Sequence, residues 1–260
     1  MKNIVSIFWT GGYDSTFRIV QLSRCNVTIQ PIYLSNDRVT ENYELAAIGE
    51  ITKMLTEHPS TIADFLPLKV IKTEAWDNET YSNKEIADAY RRILSNDYVG
   101  WQYVWIADYS EKNPNVEMSI HQDDKAISII LKYGRLKKNI DNIIGEYYTI
   151  NKEYTPNDIV KIWGNLRFPL VYFTKLDMKE FYEKEGYSHI AQKTWFCHHP
   201  IDGKACGVCN PCKYTIEEGL KERFTKKALI RYYKHKYKTI IFNYLRKFKV
   251  LRTIKRSIFK

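Results

Sequence analysis

Residues 4–17 read IVSIFWTGGYDSTF, and this stretch decides the fold expected for the chain. The apolar run 4–9 predicts a short buried strand, and the apolar spacing from Phe17 onward predicts a helix directly after the turn. The two glycines between them allow positive φ and a close backbone approach to an anion. A helix N-terminus adds unpaired N–H groups and the positive end of a dipole. The stretch therefore predicts a loop that holds phosphate groups.

The polar residues of this turn narrow its chemistry. Asp14 does not suit a simple phosphate cradle, because a carboxylate repels phosphate, but it suits binding of Mg²⁺ or orientation of a polar group. Ser15 and Thr16 add hydroxyl donors. The lysine of a Walker A loop and the spacing of the dinucleotide fingerprint are both missing. The alternative interpretation is a surface turn that ends in an Asp or Ser helix cap.

Strands and helices alternate after this turn. Strands are predicted at 28–34 and 66–72, with a helix at 41–56 between them. A shorter strand is predicted at 116–120, after a helical middle region. Strand–helix–strand units of this length indicate an α/β fold with a Rossmann-like parallel sheet and right-handed crossovers.

The charge of the chain is concentrated at its C-terminus. The 260 residues carry a net charge of +10, but residues 226–260 hold 13 Lys and Arg and no Asp or Glu. The first 225 residues hold 27 basic and 30 acidic residues, so they are mildly acidic. A high isoelectric point therefore does not make the whole chain a nucleic-acid-binding protein. Because no apolar run reaches the roughly 20 residues of a membrane span and no signal peptide is evident, we expect a cytoplasmic protein.

The basic segment 226–260 has the periodicity of one long amphipathic helix. Its apolar face comprises Leu229, Tyr233, Tyr237, Ile240, Tyr244, Leu251, Ile254 and Ile258, with lysines and arginines opposite. Three uses remain open. The apolar face docks on the body of the protein or on a second subunit in a homodimer, or the helix contacts an anionic membrane surface, or it contacts nucleic acid. The membrane alternative would make the protein peripheral on the inner membrane surface.

Four of the five cysteines fall within sixteen residues: Cys197, Cys206, Cys209 and Cys212. Four thiolates complete a closed tetrahedral site, which predicts a structural Zn²⁺ site, and a four-cysteine iron–sulfur cluster is the competing interpretation. Gly207 and Pro211 permit the tight turns that such a loop needs. Cys25 stands apart and is expected to be a small buried apolar residue. We expect two parts, a domain at 1–225 that includes a zinc knuckle at 194–214, and the tail at 226–260.

The turn at 10–15, Thr-Gly-Gly-Tyr-Asp-Ser, resembles the PP-loop of ATP pyrophosphatases, whose usual form is Ser-Gly-Gly-x-Asp-Ser. The resemblance implies the adenine nucleotide alpha hydrolase fold, ATP and Mg²⁺ as ligands, and cleavage of ATP between the α and β phosphates. The nucleotide-binding residues that it implies are Trp9, Thr10, Gly11, Gly12, Tyr13, Asp14, Ser15, Thr16, Tyr33 and Leu34. Asp14, Ser15 and Lys175 are the candidate catalytic residues, Lys175 as a phosphate contact.

Together with the cysteine segment 194–212, the turn resembles the 7-cyano-7-deazaguanine synthase family of the queuosine pathway. That resemblance implies a ligase that adenylates the carboxylate of 7-carboxy-7-deazaguanine, amidates it with ammonia and dehydrates the amide to a nitrile. The segments 100–102 and 121–125 depart from the family's pocket sequences. Two alternatives remain: a PP-loop enzyme that modifies another small molecule, an RNA base or a protein, and a non-catalytic nucleotide-binding module.

Overall fold

The computed structural model describes residues 2–74 and 81–258, and beyond Ile241 it describes only the side chain of Tyr244. The chain divides into two compact units, residues 1–195 and 196–260. This division differs from the boundaries expected from the sequence at 225/226. The cysteine cluster lies in the same unit as the C-terminal helix, not in the unit that contains the glycine turn.

The first unit is built on a parallel sheet of six strands, beside which lies a separate antiparallel hairpin. The strands are β1 (Asn3–Phe8), β2 (Val27–Ser35), β3 (Asp64–Phe65), β4 (Lys69–Lys72), β5 (Val116–Glu117), the hairpin strands β6 (Leu136–Asp141) and β7 (Gly145–Ile150), and β8 (Leu166–Arg167). The order in the sheet is β3-β2-β1-β5-β8, and β4 also pairs with β2. All of these pairings are parallel, which confirms an α/β fold compatible with the Rossmann-like class.

Helices connect the strands of the first unit and form most of the second. In the first unit they are α1 (Tyr13–Ser23), α2 (Glu41–Thr56), α3 (Lys84–Leu94), α4 (Gln102–Lys112), α5 (Lys125–Tyr133), α6 (Asn157–Trp163), α7 (Lys175–Lys184) and α8 (Ser188–Ala191). The second unit contains α9 (Asn210–Glu217) and α10 (Lys226–Ile258). The single helix predicted at 226–260 is therefore confirmed over its described length. None of the described helices is long and apolar enough to cross a bilayer.

The third strand expected at 66–72 is shorter in the structure: β4 covers Lys69–Lys72, and β3 precedes the expected range at Asp64–Phe65. Both pair with β2, whose Pro31 lies between the two paired segments. Proline has no N–H to donate to a ladder, and Pro67 stands in the segment between β3 and β4. The Gln30 side chain bonds the carbonyl oxygens of Pro31 and Pro67 instead, at 3.1 and 2.9 Å. Two prolines thus interrupt one edge of an otherwise regular strand.

A buried ion pair fixes α1 against the sheet. The Arg18 guanidinium donates to both carboxylate oxygens of Glu117 on β5, at 2.7 and 2.8 Å, and to the carbonyl oxygen of Ile144 at 3.1 Å. Both side chains are almost fully buried. Because a bidentate pair has little freedom to rotate, it fixes the rotation of α1 and its distance from β5. Residues at the start of α1 and just after β5 are positioned by this contact.

Candidate active site and metal centre

The strand order defines where a ligand is expected in the first unit. β1 lies between β2 and β5 in the sheet. The strands that follow β1 in sequence are added first on its β2 side and later on its β5 side, so the strand order reverses at β1. In open parallel sheets, ligands bind beyond the carboxyl ends of the strands at this reversal. The glycine turn leaves β1 at that edge, and the segments after β5 and β8 leave the sheet at the same edge.

The backbone of the turn is shaped by its glycines. Gly11 has φ +69°, and a Cβ at this position would lie 2.9 Å from the carbonyl oxygen of Glu44. Its own carbonyl accepts a hydrogen bond from the Trp195 amide at 2.8 Å. Gly12 is the N-cap of α1, and no side chain among the described residues caps this helix start. The N-terminal end of α1 therefore keeps the N–H groups that a helix leaves without an intrahelical partner.

The remaining turn residues take different roles. The Trp9 indole nitrogen donates to Thr16 Oγ1 at 3.0 Å, and both side chains are fully buried. This buried hydrogen bond holds the first turn of α1 against the end of β1. Thr10 is exposed, and the Ser15 hydroxyl lies 3.4 Å from the carbonyl oxygen of Gly12. Thr10 is thus exposed to solvent, whereas Ser15 and Thr16, the predicted hydroxyl donors, are buried.

Asp14 meets Lys175 at this edge, although they are 161 residues apart in sequence. The Lys175 ammonium group contacts Asp14 Oδ1 and lies 5.5 Å from the centroid of the Tyr13 ring. Lys175 is the first residue of α7, and that helix start is fixed by a capping box between Thr174 and Asp177. The structure therefore brings two predicted catalytic residues together and holds the lysine in a largely buried position.

Two further residues join this cluster from the segment after β5. His121 Nε2 lies 3.9 Å from Asp14 Oδ2, while its Nδ1 accepts a hydrogen bond from the Asp123 amide at 3.2 Å. That bond assigns the proton of a neutral imidazole to Nε2, which faces Asp14. Asp124 caps α5 by accepting from the Ala126 amide at 2.8 Å. Burial raises the pKa of Asp124, and the nearby Asp14 carboxylate raises that pKa further. We call Asp14, His121, Asp124 and Lys175 the strand-end cluster.

Tyr33 and Leu34 take packing positions in the structure. The Tyr33 side chain is fully buried, and its hydroxyl donates to Glu44 Oε2 at 3.0 Å. Burial and the Glu44 carboxylate raise the pKa of Tyr33, so the hydroxyl keeps its proton. Leu34 packs against the main apolar core. The Tyr33 side chain therefore lies in the interior and that of Leu34 is half-buried, which leaves the predicted nucleotide contact at these positions mainly to backbone atoms.

A pocket of about 350 Å³ opens beyond the carboxyl ends of β2 and β4. It is lined by Asn36, Asp37, Lys72, Thr73, Glu74, Trp101 and Trp105. The Trp101 ring is 40% exposed and packs edge-on against Trp105, whose indole nitrogen donates to the carbonyl oxygen of Glu74 at 2.8 Å. An exposed indole beside polar groups provides a surface on which a flat heteroaromatic ring can stack.

The four clustered cysteines of the second unit form a site with the geometry of a metal centre. Their Sγ atoms all lie within 4.8 Å of one another. The pairs 206–212 and 197–209 are separated by 3.8 and 4.0 Å. A tetrahedral zinc ion with Zn–S bonds of about 2.3 Å requires sulfur–sulfur distances of about 3.8 Å. The donor set and spacing fit one metal ion such as zinc, whereas a cubic iron–sulfur cluster would hold its four ligands farther apart.

Backbone amides complete the surroundings of the sulfur atoms. The amides of Val208 and Cys209 donate to Cys206 Sγ, each at 3.3 Å, and the Cys206 amide donates to Cys197 Sγ at 3.2 Å. Hydrogen bonds from the Cys197 and Cys212 thiols lower the pKa of Cys209. Amide and thiol donors stabilise negative charge on sulfur, which is the form that binds a metal.

The cysteine site also holds the start of α10. Gly207 has φ +82°, and a Cβ there would overlap the carbonyl oxygen of Ala228. The Arg231 side chain donates to the carbonyl oxygen of Cys206 at 2.8 Å. The loop around the metal position and the first two turns of α10 are therefore packed as one piece.

No protein-family model matches this chain, and no curated protein matches it. The chemistry of the two sites must therefore be argued from their own residues. His121 and Asp124 are the members of the strand-end cluster that we did not single out from the sequence, where the segment 121–125 is noted only as a departure from the family's pocket sequences. Their position directly after a predicted strand, in a segment that holds a histidine and two aspartates, was the available signal.

Proposed function

We propose that the protein is an ATP-dependent enzyme of the PP-loop type that adenylates a substrate carboxylate and then forms a carbon–nitrogen bond. The observation that carries the proposal is the contact of Lys175 with Asp14 at the uncapped start of α1, at the point where the sheet changes direction. Four titratable side chains from three separate segments meet there. Such clusters are characteristic of functional sites.

The phosphates of ATP are best accommodated over the glycine turn. The helix start provides N–H donors and a positive dipole end, and Lys175 provides a cation. Thr10, exposed beside Gly12, can add a hydroxyl donor. When ATP arrives, the Lys175 ammonium group can exchange its Asp14 partner for a phosphate oxygen. Asp14 would then be free to accept a different ligand.

The carboxylates of the cluster fit a hard cation. Asp14 and Asp124 supply the oxygen ligands that Mg²⁺ prefers, and a bound cation would favour the ionised form of Asp124. When bound, Mg²⁺ would neutralise charge on the pyrophosphate leaving group. His121, whose Nε2 lies 3.9 Å from Asp14 Oδ2, would contribute a polar group beside this carboxylate.

The proposed chemistry has two stages. A carboxylate oxygen of the substrate attacks the α phosphorus of ATP, the bond from this phosphorus to the bridging oxygen breaks, and pyrophosphate leaves with the bonding electrons. Ammonia then attacks the acyl carbon, AMP leaves, and one proton is released, which gives an amide. In the family that the motifs resemble, a second adenylation activates the amide oxygen, and loss of AMP with the remaining amide protons gives the nitrile.

The cysteines of the chain favour nitrogen transfer over sulfur transfer. Four of the five are grouped at the metal centre. Cys25 hydrogen-bonds the carbonyl oxygen of Gln21 through its thiol, and burial raises its pKa. A thiol with a raised pKa is a poor nucleophile. Adenylation needs no cysteine, because AMP is itself the leaving group.

The substrate proposed by resemblance, 7-carboxy-7-deazaguanine, is flat and heteroaromatic. The pocket beside Trp101 offers it, or the adenine of ATP, a ring to stack on. Asn36 and Asp37 line this pocket and can bond ring nitrogens or an exocyclic amine. In this proposal the cysteine site binds zinc in a structural role, since four cysteine ligands leave no open coordination position.

The test is a pyrophosphate-release assay with ATP, Mg²⁺ and ammonia. It compares 7-carboxy-7-deazaguanine with a panel of aliphatic and aromatic carboxylates. The proposal expects release that depends on one of these carboxylates and AMP formed in equal amount. Asp14→Asn should abolish the release while the circular dichroism spectrum stays that of the wild type. ATP cleavage to ADP, or wild-type turnover by Asp14→Asn, would contradict the proposal.

A further inference from the structure

Among its described side chains, the C-terminal helix α10 buries only those near its start. Ala228 and Tyr232 are buried, but the side chains from Tyr233 to Ile241, and that of Tyr244, are all exposed. The exposed set includes large apolar residues: Tyr233, Tyr237, Ile240, Ile241 and Tyr244. Exposed apolar residues that are contiguous on one surface mark interaction sites. The described part of α10 therefore presents large apolar side chains to solvent.

The apolar residues lie on one side of the helix. Tyr233, Tyr237, Ile240 and Tyr244 follow each other at intervals of four, three and four residues, which places them in one row. The sequence continues the row with Leu251, Ile254 and Ile258, up to the end of the helix at Ile258. The row spans 26 residues from Tyr233, or about 39 Å at 1.5 Å per residue.

The remaining sides of the helix are basic. From residue 226 onward the chain holds 13 Lys and Arg, and the last acidic residue before them is Glu222. Lys234 and Lys238 lie on one side of the apolar row and Lys236 borders it on the other, while the sequence places Lys247 within the row. The aliphatic part of a lysine beside an apolar surface can lie along this surface, while its ammonium group extends to the water or to charged groups at the edge.

We propose that α10, from Tyr233 onward, lies in the plane of a membrane surface that contains anionic phospholipids. The apolar row enters the boundary between the headgroups and the acyl chains, and the lysines on both sides contact lipid phosphates and carboxylates. This inference does not depend on the activity proposed for the strand-end cluster.

Two other partners would use only half of this surface. A nucleic acid would neutralise the basic residues but would leave the row of tyrosines and isoleucines in water. A second copy of the helix could cover the apolar row, but Lys247 falls within it and no acidic residue would neutralise the opposed lysines. An anionic lipid surface satisfies both features at once.

The start of the helix must stay intact in any test. The Tyr232 hydroxyl donates to Glu217 Oε1 at 2.8 Å, and Lys236 lies 3.5 Å from the same carboxylate oxygen. These bonds tie the helix to α9, and the contacts of Ala228 and Arg231 tie it to the cysteine loop. The substitutions are therefore made beyond Lys236 or on exposed positions, in the full chain.

The experiment is co-sedimentation with vesicles of phosphatidylcholine, with and without phosphatidylserine. The wild type should bind the anionic vesicles about tenfold more strongly than the neutral ones, and added salt should reduce this difference. The triple variant Tyr237→Ser, Ile240→Ser and Tyr244→Ser should lose at least about tenfold in binding to the anionic vesicles. The variant His235→Ser with Thr239→Ser, on the other side of the same turns, should bind as the wild type does. Circular dichroism and metal content check the fold of each.

Two further measurements, of RNA binding and of dimer formation, would contradict the proposal if either is positive while the wild type does not bind anionic vesicles. Duplex RNA that binds the wild type, when anionic vesicles do not, would assign the helix to nucleic acid. A dimer in sedimentation equilibrium that the triple variant abolishes, again without vesicle binding, would assign it to a second copy. Equal vesicle binding by the wild type and the triple variant would also overturn the proposal, because the apolar row would then have no role.

Discussion

The strand-end cluster and the cysteine site are both polar sites, but they are assembled in opposite ways. The cysteine ligands lie within sixteen residues and are brought together by one loop. The strand-end cluster takes residues from the starts of α1 and α7 and from the segment before α5, which together span more than 160 residues of sequence. The former is a local motif that a metal can close, whereas the latter exists only when the sheet is formed.

The two sites are also braced differently. Around the cysteines, backbone amides and the close approach of Gly207 to Ala228 hold the loop. Behind the strand-end cluster, the buried Arg18–Glu117 pair holds α1 on β5. We expect substitutions at the cysteine site to reduce metal binding and the stability of the second unit. Substitutions at or behind the strand-end cluster should reduce activity or global stability. Five substitutions test this contrast.

The largest effect should follow removal of a metal ligand. Cys212→Ser should reduce the bound metal to near zero and unfold the second unit, because metal binding and folding are coupled in such sites and contribute about 10 kcal/mol or more. Metal analysis and limited proteolysis after residue 195 measure this. Cys25→Ser is the control and should keep a full complement of metal. Normal metal content in Cys212→Ser would remove this residue from the ligand set.

Lys175→Met should lower pyrophosphate release by about 100- to 1000-fold, the usual loss for one group that stabilises transition-state charge. Metal content and the unfolding transition should stay close to those of the wild type. Lys184→Met, an exposed position at the other end of α7, serves as the control and should keep full activity. A Lys175→Met enzyme that loses its fold together with its activity would make this lysine a structural residue.

Glu117→Gln should lower the free energy of unfolding by about 3–5 kcal/mol, because it leaves the Arg18 guanidinium buried beside a neutral partner. Asp158→Asn breaks a bidentate pair of the same type with Arg92 at the surface, where water screens the charges and the cost should be much smaller. Urea unfolding of both variants gives the two values. A similar cost for both would mean that burial does not matter to this brace.

Gly207→Ala should cost about 3 kcal/mol in the second unit, since the new methyl group would meet the Ala228 carbonyl oxygen. Gly203 is the matched control: its φ is +69°, and a Cβ there would have no neighbour within 4 Å. Gly203→Ala should therefore cost only the backbone strain of about 1 kcal/mol. Thermal unfolding monitored by metal release separates the two. If both variants cost the same, the contact with α10 contributes nothing.

The smallest effect is expected for Asp124→Asn, which should raise the free energy of unfolding, whereas the preceding substitutions lower stability or activity. Burial raises the pKa of this carboxyl group, so its ionised form destabilises the folded state. Asp124→Asn keeps the helix cap, because Asn caps as well as Asp, and removes the charge. The variant should be more stable at neutral pH by about 1.4 kcal/mol for each unit by which the pKa is raised.

The pH dependence of this gain gives the check on its cause. Below the unfolded-state pKa of Asp124 both states are protonated, and the wild type and Asp124→Asn should be equally stable. As pH rises toward the raised folded-state pKa, the wild type loses stability relative to the variant, and the difference is then constant. Unfolding measured across this range tests the sign. If Asp124→Asn is more stable than the wild type but releases pyrophosphate more slowly, Asp124 contributes to activity at the expense of stability.

Short-range features were predicted well because they depend on neighbouring residues. The helix at 41–56 and the long C-terminal helix follow from apolar spacing, and the metal site follows from thiol count and spacing. The third strand was expected at 66–72, but its pairing with β2 begins only at Lys69, and the separate short strand β3 before it was missed. The hairpin at 136–150 was also missed, because its strands alternate weakly and carry many polar residues.

By itself the sequence determined the glycine turn, the four-cysteine site and the basic helix, because each depends on residues close together in the chain. Only the tertiary structure decided that Lys175 and His121 would join Asp14, since their meeting depends on the order of strands in the sheet. It also decided that Tyr33 would be buried and bonded to Glu44, and that the cysteine loop would hold the start of α10. Strand order depends on contacts between segments that are far apart in the sequence, so no local pattern of side chains determines it.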